Sequence, residues 1–271
     1  MMSALAIAGV VHAVRSPSQE LRCGDGFTVH GTRCCIGQAG AVDDVCIVHQ
    51  CPAPYVLTKG SQTCDAPDTK ILIPQTELMV GPSDWEAEGR VAPRQVSAGP
   101  FAIDAFEVTD GKLRCASCTA PLASYNPEDA ARAASSVTFA EAETYCKSRS
   151  GRLPTDDEWL VAASGALGKR YPWGETGAVC RRAAFGLSGG PCATGARGPD
   201  TVGAHPLGDS PLLVHDLAGN VAEWVVADKP TIRGGSFRTS LATELRTWAK
   251  EELPSANVRD PRIGFRCVYA P

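Results

Sequence analysis

The chain has 271 residues, 44% of them apolar and 6% aromatic, with 27 Gly, 20 Pro and a formal net charge of −4. That is enough apolar material for a packed core, while the glycine and proline content favours turns over long helices. Charges of both signs are interspersed without a basic run, which excludes an electrostatic footprint for phosphate backbones, so no nucleic-acid partner is expected.

The chain begins with a short apolar run, Met1 to Ala13, that ends in small residues. Residues 1–13 read as a signal peptide, too short to span a bilayer. No Lys or Arg precedes the run, and its alternative is an ordinary buried strand. No other segment is long and apolar enough to be a transmembrane segment.

Twelve cysteines follow, an unusual density for a reducing compartment. Cys23, Cys34, Cys35, Cys46, Cys51 and Cys64 fall in one half and Cys115, Cys118, Cys146, Cys180, Cys192 and Cys267 in the other, so each half can close its own pairs. Residues 14–68 read as a disulfide-stapled module, because a stretch of ~40 residues buries too little surface to fold unaided. Its connectivity is not readable. The rival, a zinc knuckle, lacks a Cys-x2-Cys in this stretch and a matching His pair at His30 and His49.

From Ile71 the pattern changes to alternating apolar residues, placing a second domain over 69–271. Strands are expected at Ile71–Pro74 and Phe101–Thr109. Capping boxes then announce two helices, one from Thr138 to about Arg149 and one from Asp156 to about Ser164, with Gly151 and Gly165 past their ends. Beyond Gly165 only short strands are expected, around Val221–Val226 and Ile263–Val268.

Six motifs occur in order: Ala102–Thr109 (AIDAFEVT), Gly151–Trp159 (GRLPTDDEW), Tyr171–Gly174 (YPWG), Asp216–Trp224 (DLAGNVAEW), Arg233–Phe237 (RGGSF) and Ile263–Arg266 (IGFR). Taken singly, each also reads as scaffold, since turn glycines and buried aromatics usually serve packing. Together they resemble the sulfatase-modifying-factor domain, the family of formylglycine-generating enzymes. The resemblance implies an α+β fold related to C-type lectins, low in regular secondary structure and usually extracytoplasmic. A small disulfide-rich module precedes it here.

Active members of that family hold copper between two cysteines, at the third and eighth positions after the serine of the Arg-Gly-Gly-Ser motif. Those positions are Thr239 and Glu244, and neither a hydroxyl nor a carboxylate replaces paired thiolates for soft Cu(I). No copper and no formylglycine-generating activity are therefore expected, and no catalytic residue is assigned. The family's cleft tryptophan is Ala222; Asn220, Arg233 and Ser236 match as cleft-lining residues.

Calcium is implied by the resemblance at Asp216, Gly219, Val221 and Glu223, where carboxylates and carbonyls offer hard oxygen ligands. The alternative is a tight turn in which Asp216 caps and Glu223 pairs with an arginine. An iron site would need His205, His215 and a carboxylate such as Asp216 to converge. Some relatives join the cysteines matching Cys146 and Cys267; Cys180 with Cys192 would staple the Gly-rich loop between them. Cys115 and Cys118 form a Cys-x2-Cys that reads as a loop staple, with a redox pair as its alternative.

The sequence reading is thus an extracytoplasmic protein, secreted, periplasmic or at the cell surface. It acts as a binding or structural scaffold for a protein, peptide or glycan. The alternative is an oxidoreductase of the same family using a copper-free, nonheme-iron route.

Overall fold

The structure is a computed structural model that describes residues 27–30, 33–36, 40–42, 45–47, 51, 53–58, 64–80, 91–114 and 130–271. Residues 1–13, Cys23, Cys115 and Cys118 lie outside the described residues.

Short antiparallel pairs come first: β1 (Phe27–His30) with β2 (Arg33–Ile36), β3 (Gly40–Val42) with β4 (Val45–Ile47), and β5 (Val56–Leu57) with β6 (Cys64–Asp65). A Cys51–Cys64 disulfide closes the loop that carries the last pair. This end of the Cys-rich segment is seated on the main fold. The Tyr55 hydroxyl donates to the carbonyl of Val202 at 2.7 Å, and Ala66 packs with Ala105, Phe106 and Val221.

Alternation of residue type then builds two antiparallel layers. In β8 (Thr76–Val80) Thr76, Leu78 and Val80 are buried while Glu77 and Met79 face water, and the strand pairs with β9 (Arg94–Ala98). No strand was expected over Thr76–Val80 or Arg94–Ala98, which pair across residues 81–93. Beside it, β7 (Lys70–Ile73), β10 (Phe101–Asp104) and β15 (Val268–Tyr269) form a sheet in the order β15-β10-β7. A four-stranded sheet completes the set, in the order β13 (Lys250–Glu252), β12 (Thr231–Arg233), β11 (Ala222–Val225), β14 (Ile263–Gly264).

Both capped helices form. Thr138 and Thr155 each accept from the N3 amide, and Glu141 and Glu158 reach back to the cap. A short α1 (Asp110–Leu113), capped by Thr109, precedes α2 (Phe139–Ser148) and α3 (Asp156–Ser164). The α3 helix buries every residue from Glu158 to Ser164, and its Trp159 lies in the main apolar cluster with Val96, Leu217 and Val225. The α2 helix buries only Ala142 and Cys146 and is fastened by the Cys146–Cys267 disulfide.

Two expected strands are shorter than expected, for one reason. The regular strand in Phe101–Thr109 ends at Asp104, because Glu107 turns into the core to meet the Val221 amide at 3.1 Å and Thr109 becomes a helix cap. Ile263–Val268 is broken between β14 and β15, where Arg266 leaves the sheet pattern to reach Glu223.

Candidate functional site

The two glycine-bearing motifs form loops that are laced together. Asp216, Gly219 and Asn220 adopt positive φ, and a Cβ on Gly219 would sit 2.5 Å from the Ala184 carbonyl oxygen, so only glycine permits this approach. Gly219 donates its amide to Gly234, and Phe237 donates to the Asn220 carbonyl at 2.8 Å. The Asn220 side chain accepts from the Asp200 amide and donates to Glu107.

Behind these loops lies a buried charged cluster. Arg266, with no exposed surface, donates to both Glu223 oxygens and to the carbonyls of Asp104, Ala105 and His215. The Trp159 indole adds a third donor to Glu223 at 2.9 Å. Of the three carboxylates gathered here Glu223 is the one bonded by Arg266, while Glu107 and Asp216 act on the guanidinium through their charge alone. Burial, reinforced by the charges of Asp216 and Glu223, holds the Glu107 carboxyl well above the usual carboxylate range. Burial likewise raises Asp216, which accepts from the Gly203 amide.

In front of the loops opens a cleft of about 460 Å³, whose walls include Ala222, Ile232, Arg233, Ser236, Thr239, Glu244 and Trp248. Its floor is set by Arg233, whose Nε donates to Asp156 at 2.5 Å and whose Nη1 donates to the Thr247 carbonyl. Burial opposes charge on Asp156, but the Arg233 guanidinium and the Lys250 ammonium outweigh it and hold the carboxyl below its ordinary value. Gly235, at φ 69°, has Leu245 and Thr239 so near that a Cβ would lie 2.7 Å from Leu245. Thr239 closes this turn, its hydroxyl accepting from the Ser236 amide at 2.9 Å. Glu244 lies exposed on the rim.

The structure therefore brings Arg233, Ser236, Thr239, Glu244 and Ala222 to one cleft, while Asn220 stands behind it, 1% exposed, as the knot between loops. Asp216, Gly219, Val221 and Glu223 fit calcium poorly in this arrangement. Both Glu223 oxygens are taken by Arg266 and Trp159, and a cation there would face a buried guanidinium. His205 and His215 are held by different aspartates, Asp200 at 3.4 Å and Asp209 at 2.8 Å, and among the described residues no three His, Cys, Asp or Glu converge as a metal group. Cys180 is bonded to Cys192. Glu107, Trp159 and Arg266 lie in three of the six motifs, and their convergence is a tertiary feature that no single motif carries. Lys250, Arg262 and Trp248 belong to no motif and carried no signal.

This arrangement defines a lectin-related fold organised around a glycine-lined cleft. Residues 58–271 match the Sulfatase-modifying factor enzyme 1-like domain, and the chain belongs to that family. It is 31% identical over 146 residues to Inactive C-alpha-formylglycine-generating enzyme 2 of Bos taurus, covering 49% of this chain and 48% of that protein. It is 38% identical over 92 residues to Hercynine oxygenase of Mycolicibacterium smegmatis, covering 32% of this chain and 20% of that protein. The chain thus spans about half the length, or less, of these curated relatives. Among solved structures, PvdO from Pseudomonas aeruginosa superposes with a TM-score of 0.60 at 19% identity, over 82% of this chain and 100% of that one. Treponema denticola variable protein 1 gives 0.59 at 18%, over 74% and 95%. Both show the fold.

Proposed function

We propose that this chain is an exported binding member of the family, without formylglycine-generating activity. The observation that carries this reading is the state of the two positions where active relatives hold copper. Thr239 spends its hydroxyl on the Ser236 amide, Glu244 is a carboxylate on the rim, and no cysteine is among the described residues that line the cleft. Paired thiolates are what a soft Cu(I) ion requires. The match to an inactive relative across 49% of the chain supports the same reading. Export is supported by the apolar leader-like segment and by the three described disulfides, Cys51–Cys64, Cys146–Cys267 and Cys180–Cys192. No described helix is long and apolar enough to cross a membrane.

A second reading, oxidation by a copper-free route, rests on the match to Hercynine oxygenase, which covers a third of this chain. One experiment addresses both. The full chain is incubated with oxygen and a Cys-x-Pro-x-Arg peptide, with copper or with ferrous iron, beside an authentic enzyme. Mass spectrometry is expected to find the peptide cysteine unchanged. An aldehyde or an oxygenated product would overturn the binding reading.

A further inference from the structure

Arginines that are scattered in the sequence meet on one lobe outside the cleft. Residues 176–199 contain Arg181, Arg182 and Arg197 and no Asp, Glu or Lys, in a chain whose net charge is −4. The Cys180–Cys192 disulfide closes this stretch and brings Arg181 to its far end. The Leu187 carbonyl accepts from the amides of Thr194, Gly195 and Ala196, and the Leu187 amide donates to the Phe237 carbonyl at 2.8 Å. Gly190 lies against Ser240, where an added Cβ would stand 3.3 Å from the hydroxyl oxygen. The segments that carry Arg181, Arg197 and Arg238 are therefore packed into one unit, and none of the three lines the cleft.

All three side chains are exposed, and among the described residues none of them has an ion-pair partner. Arg182, by contrast, is held by the Thr176 hydroxyl. The carboxylates that border the stretch are already engaged, Glu175 with Arg170 at 3.8 Å and Asp200 with His205 at 3.4 Å. The next acidic residue after Arg238 is Glu244, on the rim of the cleft. Apolar side chains stand among these free cations. Val179, whose carbonyl accepts from the Arg182 amide, is 44% exposed, and Leu241, next to Ser240, is 60% exposed.

Each basic side chain near a negatively charged membrane raises affinity about fivefold. Exposed aliphatic groups gain nothing from a water-soluble polyanion, whereas a bilayer buries them beneath its headgroups. We propose that this lobe is a docking surface for an anionic lipid bilayer, with Arg181, Arg197 and Arg238 at the headgroup phosphates and Val179 and Leu241 at the acyl boundary. The surface is separate from the cleft and stands whether or not the cleft takes a ligand.

The test is co-sedimentation of the full chain with sucrose-loaded vesicles, made of phosphatidylcholine alone or of phosphatidylcholine and phosphatidylglycerol in equal parts. Binding is expected to the mixed vesicles only, and added salt should weaken it. Arg181→Gln, Arg197→Gln and Arg238→Gln should each weaken partitioning about fivefold, and the triple variant about a hundredfold. Val179→Ser combined with Leu241→Ser should weaken it about tenfold. Lys147→Gln, on the exposed side of α2, is the control for charge elsewhere and should change nothing. These substitutions are at exposed side chains and should leave the melting temperature as in wild type. Equal binding to both vesicle types, no binding to either, a triple variant that partitions like wild type, or an equal loss in Lys147→Gln would each overturn the proposal. So would an undiminished Val179 and Leu241 double variant, and if dextran sulfate then bound as tightly as vesicles, the lobe would be a site for soluble polyanions instead.

Discussion

Arg266 and Glu223 meet at 2.7 Å with 0% and 1% of their side chains exposed, and this pair ties the four-stranded sheet to the end of β10 through the carbonyls of Asp104 and Ala105. The desolvation of both charges is offset only while both are present. Arg266→Leu strands a buried carboxylate and is expected to lower unfolding free energy by about 3–5 kcal/mol, read by urea denaturation. Arg266→Met combined with Glu223→Leu should be less destabilised than the single variant. Equal loss in both would show that the carbonyl contacts, rather than the stranded charge, carry the effect.

The Cys146–Cys267 disulfide closes 121 residues of chain, whereas Cys180–Cys192 closes 12. A cross-link restrains the unfolded chain more when its loop is longer. Replacing Cys146 and Cys267 by Ala should cost about 2–5 kcal/mol, and more than the same change at Cys180 and Cys192. The reverse order in guanidinium denaturation would mean that local strain outweighs chain entropy here.

If the chain is exported and oxidised, thiol titration under denaturing conditions should find almost none of its 12 cysteines free. Most of them reacting would remove the case for export.

Because Glu107 is raised by burial and by Asp216 and Glu223, the folded protein keeps its proton at pH values where the unfolded chain, titrating near about 4.3, has lost it. The contribution of this group is complete below about pH 4.3 and is lost as pH rises toward the raised folded value. Glu107→Gln mimics the protonated form. Its melting temperature relative to wild type should therefore rise with pH above about 4.5 and level off once the raised folded value is passed; a difference constant with pH would refute the assignment.

Calcium chelation should leave the melting temperature unchanged, because Glu223 is already satisfied by Arg266 and Trp159. A fall on chelation that Asp216→Ala abolishes would reinstate the oxygen set at Asp216, Gly219, Val221 and Glu223.

Local chemistry was legible in the amino-acid order. A threonine followed three residues later by glutamate caps a helix wherever it occurs, so α2 and α3 could be bounded from Thr138 and Thr155 alone. Six ordered motifs determined the family, and two single positions, Thr239 and Glu244, carried the expectation about copper. Only the tertiary structure decided which motif residues face the cleft and which lie behind it. Asn220 and Ser236 sit in equally conspicuous motifs, yet one knots two loops to Glu107 while the other lines the cavity. The pairing of Arg266 with Glu223 bridges 43 positions, and that of Glu107 with Asn220 bridges 113. Such partners are selected by burial, where an unpaired charge is costly, and burial is a property of the packed chain that no local pattern encodes.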